Sequence, residues 1–247
     1  MEKLKCLKKD NKMTKIIGAN PNSSGLGDVL LLTAICKHFP DVIVQLHPDY
    51  SRFAFLSNGL CKQVELTTTP IHTPAMKENF TVTEAMLAEF GYFGKDTTPF
   101  IFVDRDNYEQ AKQELKYIKN PIVVKANCSS RWKHVRQYDI NYVQKEVNKL
   151  ILAGFAPIQF GISDNFTPLD GCIHMIDVDI QKLSAIYKVI GHYFGTDTGD
   201  MHLMIAVGGT CTVLVPEKNH LGYNPDQFVH RCDRITRQIV PKQYCNY

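Results

Sequence analysis

The segment Gly195-Thr-Asp-Thr-Gly-Asp-Met-His202 sets glycines, hydroxyls and carboxylates immediately before an apolar run of helical character. Small residues ahead of a helix N-terminus form a cradle for an anion, because the first backbone N–H groups of a helix lack intrahelical acceptors and its dipole favours negative charge there. The Thr196 and Thr198 hydroxyls add two donors suited to a phosphate. Capping of the helix by Asp197 or Thr198 is the simpler alternative. It leaves His202 unexplained, one turn into an otherwise apolar helix, where an imidazole is either a ligand contact or a satisfied core histidine.

A second loop, Asn20-Pro-Asn-Ser-Ser-Gly-Leu-Gly-Asp28, has Gly25 and Gly27 where a backbone must approach a ligand closely. It lacks the Lys-Ser/Thr pair of a P-loop, and Leu30 stands where a G-x-G-x-x-G dinucleotide loop needs its third glycine. Asp28 is the titratable group here, and two roles stay open for it: a first-turn acid that complements the helix N-terminus, or a general base at the edge of a cleft. A third loop, Asn127-Cys-Ser-Ser-Arg-Trp-Lys-His-Val-Arg136, brings together Arg131, Lys133, His134 and Arg136. Fixed cations beside a strand end suit a diphosphate, and a solvated basic loop is the alternative.

Each loop follows a short apolar run and precedes a helix-length amphipathic stretch, the alternation expected of parallel α/β units. In the first half the spacing predicts strands over 14–19, 41–46, 63–66 and 100–103, with helices over 28–38, 52–58 and 81–90. The last of these opens on a capping box at Thr81 and Glu84. Residues 107–119 are polar and helix-prone. The second half repeats the pattern with strands over 121–126, 156–160, 173–176, 192–195 and 211–215, and helices over 140–153, 180–190 and 200–207. Beyond Pro216 the sequence reads as irregular, with room for a short helix or a crossing tail. The expected organisation is a basic tail (1–15), an N-terminal Rossmann-like domain (16–107), a linker (108–119), a C-terminal Rossmann-like domain (120–240) and a short tail (241–247). Ligands of such folds bind outside the carboxyl ends of the strands, where all three loops lie.

The 247 residues are 44% hydrophobic and 21% charged with a formal net charge of +3, which excludes disorder, collagen and a disulfide miniprotein. Six lysines fall within residues 1–15 against Glu2 and Asp10, so the remainder is close to neutral. A near-neutral body argues against nucleic acid as a partner. The tail is a candidate contact for an anionic surface or membrane, with a solvated terminus as the plainer reading. No apolar run reaches the roughly 18 residues of a membrane helix and none follows the first lysines as in a signal peptide, so a cytoplasmic protein is expected. Eight scattered cysteines with no C-x-x-C pair read as reduced and structural, and no histidine or cysteine ladder predicts a metal.

The segment from Gly195 through Asp197-Thr-Gly-Asp-Met-His-Leu-Met-Ile-Ala-Val-Gly208 to Val215 closely resembles the D-S/T-G-x-x-H-L-x-x-A-x-G motif of glycosyltransferase family 9, the bacterial heptosyltransferase-like enzymes. The opening Ser23-Ser-Gly-Leu-Gly-Asp-Val-Leu-Leu-Leu-Thr33 is similar to that family's G-x-G-D-x-L/I-x-T/S segment, and Ser129–Arg136 falls where the family carries a basic loop. The resemblance spans residues 15 to about 216 and marks the chain as a short member. It implies a GT-B architecture: α/β, with two Rossmann-like domains whose parallel sheets face a central cleft, the first binding the acceptor and the second a nucleotide sugar. Asp28 matches the family's catalytic base and Lys133 its diphosphate-contacting lysine. Arg131, Arg136, Gly25 and Gly27 line the same site, while Thr196, Asp197, Thr198, Gly199, Asp200, Met201 and His202 form the donor's phosphate loop. The implied reaction is metal-independent inverting transfer from a nucleoside-diphosphate sugar to a hydroxyl of a glycan or other acceptor, with no cofactor. Asp200 departs from a simple cradle, because its carboxylate repels a diphosphate unless Lys133 or His134 lies close. A non-catalytic nucleotide-sugar-binding or scaffold protein of the same fold is the alternative, and a dinucleotide enzyme is disfavoured by the broken glycine fingerprint.

Overall fold

The computed structural model describes residues 16–18, 25–57, 59–69, 80–128, 136–163, 166–217 and 224–245. The basic tail, Lys133 and Arg131 lie outside the described residues.

The first half holds a parallel sheet of β1 (Ile16–Gly18), β2 (Ile43–Leu46) and β3 (Gln63–Leu66) in that spatial order. Helix α1 (Leu26–His38) connects β1 to β2, and Val29 to Cys36 are buried without a break. A helix that is apolar all round needs cover on every side; α1 packs against a helix of the second half and two helices of the first, and shares one core with Ile17 of β1 and Val44 and Leu46 of β2. Pro40 cannot continue it, and the chain turns after Phe39. The helical stretch expected over 52–58 is part of a 3₁₀ helix (Pro48–Ser57). Helix α2 (Val82–Glu89) begins with the expected capping box: Thr81 Oγ1 accepts from Glu84 N at 3.1 Å, and Glu84 Oε2 accepts from Thr81 N at 2.7 Å.

The strand expected over 100–103 does not form. Thr33 Oγ1 accepts the Phe100 N–H at 3.1 Å and the Ala206 carbonyl accepts that of Ile101 at 3.3 Å, so this segment's amides are met by a side chain and a helix end rather than a neighbouring strand. Helix α3 (Arg105–Leu115), capped by Asp104, occupies the stretch read as a linker. It is packed rather than free, with Ala111 and Leu115 buried and Glu114 bridged to Lys182 at 2.8 Å.

The second half is built from β4 (Pro121–Lys125), α4 (Ile140–Leu152), β5 (Ala156–Gly161), β6 (Ile173–Ile176), α5 (Ile180–Ile190), β7 (His192–Thr196), α6 (Gly199–Ala206), β8 (Thr210–Pro216), α7 (Pro225–Phe228) and β9 (Ile235–Val240). All six strands are parallel, in the order β6-β5-β4-β7-β8-β9. Successive side chains point to opposite faces. Val123, Tyr193, Val213 and Val215 thus join the core shared with the first half, while Ile122, Val124, Phe194 and Leu214 face a smaller core under α4.

Strand β9 corrects the irregular reading beyond Pro216, since Ile235–Val240 pairs with β8 along its length. The chain then returns across the sheet, where the Tyr244 carbonyl accepts from Asp139 N at 2.8 Å and the Tyr244 ring stacks on Tyr142. The two halves are unequal among the described residues, three strands against six, and one continuous apolar core joins them. No described helix is long and apolar enough to cross a membrane, and none of the seven described cysteines is in a disulfide.

Candidate active site

The six-stranded order reverses direction between β4 and β7. In doubly wound sheets the crevice for a ligand lies outside the carboxyl ends of the strands at such a reversal. Here β4 ends at Lys125 beside β7, which leads into Asp197-Thr198 and α6, so the root of the basic loop and the start of α6 lie at the same end of adjacent strands. Gly195 permits the approach of the two strand ends. A Cβ there would stand 2.2 Å from the Lys125 carbonyl oxygen, and its φ of +156° disfavours any other residue.

The third loop arrives from the first half. Helices α1 and α6 pack side by side with their N-termini together: a Cβ on Gly199 would lie 3.0 Å from Gly27 N, and one on Gly27 would lie 3.0 Å from His202 Cδ2. Any side chain at either glycine would push the two helices apart by a few tenths of an ångström. Two helix N-termini therefore present their first N–H groups and positive dipole ends at one point beside the strand reversal, an arrangement suited to an anion with several charges. Thr198 stands at the N-cap of α6 without capping it through its side chain.

The buried polar side chains around this point are held in specific partnerships. Arg136 Nε lies 3.5 Å from Asp197 Oδ2, and Arg136 Nη1 donates to the Asp197 carbonyl at 3.4 Å, tying the end of the basic loop to the start of α6. Asp197 is 1% exposed, so its carboxylate anchors the loop rather than facing a ligand. Asp200 is likewise compensated from within. Lys125 Nζ lies 3.2 Å from its Oδ2, Tyr187 Oη donates to its Oδ1 at 2.7 Å, and Thr198 Oγ1 donates to its Oδ2 at 3.4 Å. The repulsion expected of this carboxylate is thus met by Lys125. Burial, reinforced by Asp200, pushes the Tyr187 and Tyr193 phenols well above their ordinary range and keeps both as donors. Tyr193 Oη donates to the Thr196 carbonyl at 2.6 Å and lies 3.3 Å from Thr198 Oγ1.

Met201, expected at the donor, is fully buried and belongs to the core. Thr196 Oγ1 is buried with no hydrogen-bond partner among the described residues. His202 is buried against His230, with Nδ1 of the first 2.8 Å from Nε2 of the second. Burial lowers His202 to about 3, with Arg136 adding to the effect, so the ring is neutral near pH 7. Asp28 is half-buried on the first turn of α1, where its Oδ2 accepts from Gly25 N at 2.9 Å. That bond is the capping role foreseen for it. A Cβ on Gly25 would meet nothing within 4 Å among the described residues.

Lys125, Tyr187, Tyr193 and His230 were not singled out from the sequence. A lone lysine closing the apolar run Ile122-Val-Val-Lys125 is a signal that was available; nothing local marks His230. Among the described residues no group of three or more His, Cys, Asp or Glu side chains has the geometry to hold a metal. A separate cavity of about 400 Å³ lies at the other end of α1 and α6, lined by Lys37, Phe100, Ile205, Lys188 and Arg234. Its cations are engaged locally: Lys37 pairs with Asp96 at 2.5 Å, Arg234 donates to the Ile205 and Gly209 carbonyls, and Lys188 Nζ lies 5.5 Å from the centroid of the Tyr108 ring.

The sequence matches no protein-family model and no curated protein. Solved structures do share its fold. A glycosyltransferase family 9 protein from Veillonella parvula DSM 2008 superposes with a TM-score of 0.65 at 10% identity, over 92% of this chain and 87% of that one. The E. coli ADP-heptose lipopolysaccharide heptosyltransferase II gives 0.64 at 11% identity, over 92% and 90%. E. coli heptosyltransferase WaaC with ADP gives 0.53 at 12% identity, over 94% and 95%. The chain thus has the GT-B architecture that the sequence resemblance implied, with parallel sheets in both halves.

Proposed function

We propose that the protein is a glycosyltransferase that moves a sugar from a nucleoside-diphosphate donor to an acceptor hydroxyl with inversion and without a metal. The observation that carries this reading is the meeting of the α1 and α6 N-termini, glycine against glycine, at the strand reversal of a GT-B fold. The structures of heptosyltransferase WaaC with ADP and with ADP-2-deoxy-2-fluoro heptose support a donor of that chemical class.

In this reading the donor's diphosphate lies over the first turn of α6, where backbone N–H groups and the Thr196 and Thr198 hydroxyls surround its oxygens. Asp28 takes the proton of the acceptor hydroxyl. The freed oxygen attacks the anomeric carbon from the side opposite the leaving group, and the bond from that carbon to the diphosphate oxygen breaks. Negative charge then grows on the leaving diphosphate, where donors already in place stabilise it without reorganising. Lys133 and Arg131 supply the fixed positive charge from the basic loop, and Arg136 holds the root of that loop to Asp197. Acceptor recognition falls to the first half. Steady-state transfer by Asp28→Asn tests the assignment: turnover drops by about 10²-fold or more while nucleotide affinity stays unchanged. An Asp28→Asn protein with wild-type turnover refutes the base.

The engagement of Asp28 with Gly25 N favours a second reading, a non-catalytic nucleotide-sugar-binding protein in which Asp28 only caps its helix. That protein binds nucleotide and transfers sugar to no acceptor.

A further inference from the structure

The two ring nitrogens of His202 face different surroundings. Nε2 lies 3.8 Å from Asp197 Oδ1, and a Cβ on Gly27 would stand 3.6 Å from it. Nδ1 lies 2.8 Å from His230 Nε2, and the two rings meet nearly edge to face at 85°. Both histidines are buried, His202 at 6% and His230 at 3% exposure. Burial keeps both neutral; Arg136 reinforces this at His202, and His202 and Arg234 reinforce it at His230, with Asp197 as the opposing charge.

Two neutral imidazoles in N···N contact share a single proton, so only two arrangements exist. In one, His202 donates from Nδ1 and turns the bare Nε2 lone pair toward the Asp197 carboxylate. In the other, His230 donates from Nε2 to His202 Nδ1, and His202 presents Nε2–H to that carboxylate. The first sets negative potential against negative charge where little water can screen it, and the second sets a donor there. Charge selects the second.

We propose that His230 is a positioning residue of the site: by donating to His202 Nδ1 it fixes the Nε2–H tautomer, and the ring so held sets the spacing between the α1 and α6 N-termini. The proposal rests on reading those termini as the donor and reaction site. The His202 side chain makes both contacts, packed on Gly27 of α1 and facing Asp197 at the entry to α6. Its orientation therefore links the glycine loop to the phosphate loop, and His230 determines that orientation from the segment between α7 and β9.

The test combines ring ¹⁵N spectra of the ligand-free full chain with calorimetric titration of ADP, GDP and UDP, for the wild type, His230→Phe and His230→Gln. The wild type shows His202 protonated at Nε2 and bare at Nδ1. His230→Phe loses that signature and binds the preferred diphosphate about tenfold more weakly. His230→Gln, whose amide N–H can donate to the same nitrogen, restores both. A wild-type His202 protonated at Nδ1 overturns the proposal, as does a His230→Phe protein with unchanged tautomer and affinity. If His230→Phe does not fold, the wild-type and His230→Gln spectra decide the tautomer by themselves. A wild type that binds none of the three diphosphates overturns the transferase reading instead, and the ligand-free spectra still decide the proton's place.

Discussion

The two helix N-termini that meet at the site are held by different means. The α6 terminus is locked by buried charge and aromatic hydroxyls: Arg136 on Asp197, Lys125 and Tyr187 on Asp200, and Tyr193 on Thr196. The α1 terminus is set by steric contact, Gly27 against Gly199 and His202, with Asp28 bonded to the nearby Gly25 amide. A six-stranded sheet backs the first and a three-stranded sheet backs the second. Preorganised donors are most useful where leaving-group charge develops, since they need no rearrangement as it appears. In the proposed function the α6 terminus is the donor side, and it is organised by the fold itself. The acceptor side, by contrast, depends on its apposition to that rigid partner.

Breaking the donor side at its backbone has the largest expected effect. Gly195→Ala forces a methyl into the Lys125 carbonyl oxygen, and backbone cannot rotate away as a side chain can. It should destabilise the protein by about 3 kcal/mol or more, read as a fall in the denaturant midpoint. Breaking it at a charge is milder. Lys125→Met leaves Asp200 largely buried beside two phenols and without its cation, at about 2 kcal/mol. For a chain of this length that lowers the melting temperature by about 4–8 °C. Equal stability of wild type and Lys125→Met would show that the donor side is not charge-locked.

Acidification sharpens the same contrast with a smaller effect. His202 and His230 are held below their unfolded value of 6.5 by burial. Below that pH the unfolded chain binds protons that the folded chain refuses, so stability is fully present above about pH 6.5 and falls as pH drops toward 3. The slope is at most about 1.4 kcal/mol per pH unit for each histidine. Melting curves between pH 7 and 4.5 should show the loss, and a His202→Gln, His230→Gln double variant should flatten it. An unchanged slope in the double variant would place the acid sensitivity elsewhere.

Much of this arrangement was legible in the sequence. The strand, loop and helix order of the second half, the glycine-rich start of α6 and the Thr81 capping box all follow from local pattern, because neighbouring residues determine them. The partnerships were not legible, because they are made by the fold. Lys125 and Asp200 come from different strand-to-helix units, and Arg136 meets Asp197 across the strand reversal. The segment at 100–103 has a strand's composition, yet Thr33 and Ala206 take its amides. Strand β9 was missed for the opposite reason: Ile235-Thr-Arg-Gln-Ile-Val240 is an edge strand, and its mixed polarity reflects exposure along much of its length. Met201 shows that a motif position can serve the core while its neighbours form the site.

In the proposed function the paired N-termini hold a diphosphate. Thermal unfolding with ADP, GDP and UDP, each beside its nucleoside and with and without EDTA, tests it most directly. A ligand at 100 times its dissociation constant adds about 2.7 kcal/mol, which raises the melting temperature of a chain this size by roughly 5–10 °C. The account predicts such a rise with one diphosphate, unaffected by EDTA and absent with the matching nucleoside. No rise with any of the three diphosphates, or an equal rise with diphosphate and nucleoside, would contradict it.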